Sequence, residues 1–95
     1  MSSKIFSAAV IGLDAEIVEV EADIGGGDLG SFSLVGLPDT SVSESRERVR
    51  YAIKNSGIKF PKMKVSVNLA PADLKKQGPS YDLPIAISVL IASNL

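Results

Sequence analysis

The sequence predicts a two-layer α/β (α+β) sandwich in the order β-β-β-α-β-α. Two segments, residues 15–24 and 63–69, alternate apolar and polar side chains, the mark of strands with one buried face. Between them, from about Ser41, the apolar period changes to that of a helix. The chain then closes on an apolar run, IAISVLIASNL, that suits a second, deeply buried helix. Strands with helices on one face make two layers around a single core.

Taken in order, residues 4–12 carry strand composition in Ile5, Phe6, Val10 and Ile11. In residues 15–24, Val18, Val20, Ala22 and Ile24 share one face, and Glu19, Glu21 and Asp23 share a wet acidic one. The glycine-rich GGGDLG turn leads into residues 31–36, where Phe32 and Leu34 point the same way. Short connections suggest that these three strands form an antiparallel meander.

The first helix presents Val42, Ser45, Val49, Ala52 and Ile53 as its core stripe. Ser41 with Glu44 fits a capping box, with Asp39 as a rival N-cap. Asn55-Ser56-Gly57 supplies the stop, Gly57 suiting a left-handed conformation. Residues 63–69 place Met63, Val65, Val67 and Leu69 on one face. For the second helix, Ser80 or Asp82 can cap, and Pro84 is tolerated in the first turn. Leu83, Ile87 and Leu90 are expected to face the sheet, so that Ile87→Ala would cost about 2–5 kcal/mol.

Composition narrows the chemistry. The 95 residues are 45% hydrophobic, which argues against disorder and allows one domain, 1–95. Cysteine and histidine are both absent, excluding disulfides, thiolate or imidazole metal sites, and Ser-His or Cys-His catalysis within the chain. No cofactor is expected in this chain. The amino terminus has no signal-peptide pattern, and the longest apolar stretch is about half a membrane span. A cytoplasmic, membrane-free location is expected. The second helix ends on Ser-Asn-Leu without a polar tail, which suggests a piece of a longer chain.

Net charge is −1, so a whole-domain grip on nucleic acid is unsupported. The charge is nonetheless divided. Residues 1–39 hold one lysine and seven carboxylates, and residues 40–95 hold nine basic and four acidic residues. Arg46, Arg50 and Lys54 recur along one flank of the first helix. They read either as a solvated flank or as a nucleic-acid or subunit contact, with Lys75 and Lys76 as further candidates.

Gly25, Gly27 and Gly30 spell G-x-G-x-x-G, but the dinucleotide fingerprint requires a helix to follow, and SFSLVG alternates like a strand. A hairpin loop is the better reading. No phosphate loop G-x-x-x-x-G-K-[ST] is present. Gly78-Pro79-Ser80 puts a hydroxyl at a helix mouth, where it can cap the helix or act as a nucleophile if a lysine serves as base.

The segments VGLPDTSVSESRERVRYAIKNSG and VSVNLAPADLKKQGPSYDLPIAI resemble the amino-terminal domain of the Mg-chelatase-like (ComM-type) AAA+ ATPases. The resemblance covers essentially the whole chain. It implies a fold like the proteolytic domain of Lon and the second domain of ribosomal protein S5. It also implies a non-catalytic module at the front of a longer ATPase that assembles as a homo-hexamer and drives DNA branch migration. ATP and Mg²⁺ are implied for that parent protein, and the partners implied are its own AAA+ domain and DNA. Ser80 matches the Lon nucleophile in its G-P-S stretch. Here Tyr81 and Asp82 follow where Lon has small residues, and the lysine partner would lie beyond Leu95. A Ser-Lys peptidase is the alternative reading.

Overall fold

The computed structural model describes residues 2–11, 14–26, 30–71 and 78–93. They form β1 (Ser2–Ile11), β2 (Asp14–Gly25), β3 (Phe32–Val35), α1 (Asp39–Asn55), β4 (Lys64–Ala70) and α2 (Asp82–Ala92), with a 3₁₀ turn at Gly78–Tyr81 before α2. This is the expected element order and the two-layer class. Both helices contribute to one core with the inner face of the sheet, where Val49, Ile53, Ile85 and Val89 join Val20, Leu34, Val67 and Leu69.

Alternation sets the faces as expected. Val18, Val20, Ala22 and Ile24 are buried, as are Phe32 and Leu34 and then Val65, Val67 and Leu69. Met63 lies outside β4 and is exposed.

The strands are not a meander. The sheet order is β1-β2-β4-β3, so β4 inserts between β2 and β3. It runs antiparallel to β2 and parallel to β3, with Phe32 opposite Val65 and Leu34 opposite Val67. The reason is connectivity. A parallel pair needs a crossover, and α1 supplies it between β3 and β4. The segment after β2 therefore bridges non-adjacent strands and is not a hairpin loop; within it, residues 27–29 lie outside the described residues. β3, rather than a helix, follows Gly30, against the dinucleotide reading.

Gly36 marks a close approach. Its φ is +105°, and a Cβ built there would sit 2.2 Å from the Leu69 carbonyl oxygen of β4. Only glycine fits a backbone held that near its neighbour.

α1 starts earlier than the capping box predicts. Pro38 is the N-cap, no side chain caps the helix, and the Ser41 amide donates to the Pro38 carbonyl at 2.8 Å. Proline presets the entry backbone and moves the N-cap three residues upstream of Ser41. Ser45, Val49 and Ile53 are buried and Val42 partly so, but Ala52 is exposed. The stop matches expectation: Gly57 has φ +81°, and the Ser56 Oγ donates to the Ala52 carbonyl.

α2 is rotated from the expected phase. Ile85, Ala86, Ser88, Val89 and Ala92 are buried, whereas Leu83 is 68% and Ile87 39% exposed and Leu90 is half-buried. An apolar run with no polar face carries no phase information. Asp82 supplies the phase, because its carboxylate is fastened to α1, so the residues three, four and seven positions later turn inward. Neither Ser80 nor Asp82 caps α2, whose N-cap is Tyr81. Further along α2, the Ser3 Oγ of β1 donates to the Ser88 carbonyl at 2.6 Å.

Candidate functional site

Two polar constellations are built across elements, and they differ in what they leave free. The first joins the helices. The Ser45 Oγ donates to Asp82 Oδ1 at 2.9 Å, and Arg48 donates to the same carboxylate through Nε and Nη2. Glu44 lies 3.7 Å from the Arg48 guanidinium. The hydrogen bond to Asp82 raises the Arg48 pKa further, so the guanidinium stays charged. Ser45 is fully buried, and its hydroxyl would lack this acceptor without Asp82. The arrangement fixes α2 against α1. Sequence reasoning read Asp82 only as a possible cap, because a 34-residue separation hides its pairing with Arg48.

The second constellation is a groove of about 730 Å³ at the carboxyl end of α1 and the segment leading to β4. Arg50, Lys54, Lys59 and Lys62 line it, together with Ile58, Phe60 and Pro61, and among the described residues no carboxylate does. None of these four cations has an ion-pair partner among the described residues. By contrast, the acidic side chains Glu19, Glu21 and Asp23 belong to the sheet face opposite the helices, where Lys4 pairs with Glu19. The groove is thus strongly basic in a domain whose net charge is near zero.

Arg50 organises its wall. Its Nη2 donates to the Gly30 carbonyl at 2.9 Å. Its guanidinium carbon lies 5.3 Å from the Phe60 ring centre and 5.7 Å from that of Phe32, within cation–π range. The two rings are themselves 5.1 Å apart. The Gly30 amide donates to the Lys62 carbonyl at 3.1 Å, joining the β2–β3 connection to the groove floor.

Of the expected contact residues, Arg50 and Lys54 line this groove. Arg46 does not; its Nη1 donates to the Phe32 carbonyl at 3.0 Å, holding β3 to α1. Lys75 and Lys76 lie outside the described residues. Lys59, Phe60 and Lys62 were missed, although lysines interleaved with an aromatic in IKFPKMK were a usable signal.

Ser80 is exposed on the 3₁₀ turn, and its hydroxyl makes no hydrogen bond among the described residues. Beside it Tyr81 is buried, and burial pushes its phenol pKa up. No helix of the described residues is long and apolar enough to cross a membrane.

Comparison with known proteins places these features in a family. The family model described as subunit ChlI of Mg-chelatase matches residues 20–95. "Uncharacterized protein YifB" of Escherichia coli is 50% identical over 92 residues, covering 97% of this chain, and its Salmonella typhimurium namesake is 49% identical over 90, covering 95%. The competence protein ComM of Haemophilus influenzae is 47% identical over 90 residues, also 95% of this chain. The chain spans only 18% of the length of each of these relatives. With most of its residues matched by that model, the chain belongs to the Mg-chelatase ChlI family, with a ComM protein among its relatives.

Proposed function

We propose that this domain is a non-catalytic module of a Mg-chelatase-like AAA+ ATPase that supports ring assembly and contacts DNA during ATP-driven branch migration. The observation that supports the DNA contact is the groove lined by Arg50, Lys54, Lys59 and Lys62, with no carboxylate beside them among the described residues. Unpaired cations gathered in one concave surface attract a phosphate backbone and release its counterions. ATP and Mg²⁺ belong to another part of the parent protein in this reading, since this chain carries no phosphate loop. The homo-hexamer is likewise a property of the parent. A Ser-Lys peptidase using Ser80 would draw its base from beyond Leu95 and is the alternative reading.

The test is fluorescence anisotropy of a labelled DNA strand with the 95-residue chain as salt is raised. Three phosphate contacts give a log–log slope of about −2, so affinity is expected to fall roughly a hundredfold between about 20 and about 200 mM salt. A flat dependence, or no binding at the low-salt end, contradicts the DNA contact and leaves assembly as the role.

A further inference from the structure

We infer that the groove takes a single nucleic-acid strand and not a duplex, with Lys54, Lys59 and Lys62 on the phosphates and a base stacked on the Arg50 guanidinium. This rests on the DNA-contact reading and specifies its ligand. Shape carries the first part of the argument. Elements that read a duplex are convex, a helix or ribbon inserted into a groove about 12 Å wide. Here the basic surface is instead an open groove with about 730 Å³ of space between its lining side chains. Splayed nucleotides can enter such a space, whereas a paired, stacked helix meets only its rim.

Lining chemistry carries the second part. Single-strand sites combine backbone-tracking cations with flat groups on which bases stack. Ile58, Phe60 and Pro61 give this groove an apolar floor between its lysines. Arg50 is already ordered by the Gly30 carbonyl and the two phenylalanine rings, so little further freedom is lost when a base lies against it. The residue as a whole remains exposed, leaving a side of the guanidinium for a ligand. Stacking of this kind tolerates any base, so weak sequence preference is expected.

The probe is an oligothymidylate of roughly 30 nucleotides, long enough to cover a single-strand site, titrated with the 95-residue chain at low salt. The exposed Lys54, Lys59 and Lys62 are each changed to alanine, singly and together, with thermal melts confirming the fold. Each single change is expected to lower the salt slope by about 0.7, and the triple variant to bind at least about thirtyfold more weakly. Arg50→Lys keeps the charge and loses the plane; it is expected to weaken binding several-fold with the slope unchanged. Lys4→Ala, on the opposite edge strand, is the charge control and is expected to bind like the parent chain. A triple variant that binds as well as the parent chain overturns the groove assignment while leaving DNA contact standing. A duplex of equal length that displaces the strand at equal concentration overturns the single-strand choice. Absence of any binding by the parent chain overturns the underlying reading as well.

Discussion

Gly36→Ala is expected to destabilise the domain by about 3 kcal/mol or more, a large share of the stability of a domain this small. Two costs combine. The φ of +105° lies where side-chain-bearing residues rarely go, at a cost of roughly 1–2 kcal/mol. The new methyl would also lie 2.2 Å from the Leu69 carbonyl oxygen, 3.0 Å from its carbonyl carbon and 3.1 Å from its Cβ. These atoms cannot retreat cheaply. Leu69 belongs to β4, an inner strand of the sheet, and its side chain is fully buried. Relief would require β3 to part from β4. Gly25→Ala is the matched control, because a Cβ there meets nothing within 4 Å; it is expected to change stability by less than about 1 kcal/mol. Urea denaturation of both variants checks this, and a Gly36→Ala shift no larger than the control's would contradict the close approach.

Ile85→Ala is expected to cost about 2–5 kcal/mol, and Ile87→Ala less than about 1 kcal/mol. Ile85 is completely buried, so truncation removes apolar contact and leaves a cavity that α1 and the sheet are too well anchored to close. Ile87 is partly solvated already and belongs to the exposed flank with Leu83 and Ile91. Phase read from the sequence alone predicts the large effect at Ile87. Equal effects, or a larger one at Ile87, would restore that phase and contradict the one set by Asp82.

Much of the fold is legible in residue patterns because burial on one face imprints a period. Val18, Val20, Ala22 and Ile24 show it in β2, and Gly57 marks the end of α1 through its backbone alone. Strand order is not legible this way. Alternation says which face is buried but not which strand lies alongside, so the insertion of β4 between β2 and β3 has no local sign. The same limit hides the rotation of α2, which depends on an Asp82–Arg48 pairing formed only after the helices meet. The basic groove was half visible. Arg50 and Lys54 follow from helical spacing, but Lys59, Phe60 and Lys62 join them only because the chain turns back at Gly57. Arg46 shows the converse, since a helix-flank arginine that looks free in sequence donates to a backbone carbonyl of β3.

In the proposed reading DNA meets this domain at the groove and not at Ser80 or the exposed flank of α2. Nitrogen-15 heteronuclear correlation spectra of the 95-residue chain, recorded as oligothymidylate is added, test it most directly. The perturbed amides are expected to cluster at Gly30, Lys54 and residues 57–62, with Pro61 silent for want of an amide proton. Perturbation centred on Ser80 to Ile91 with the groove unchanged would contradict it, as would spectra that do not move at low salt.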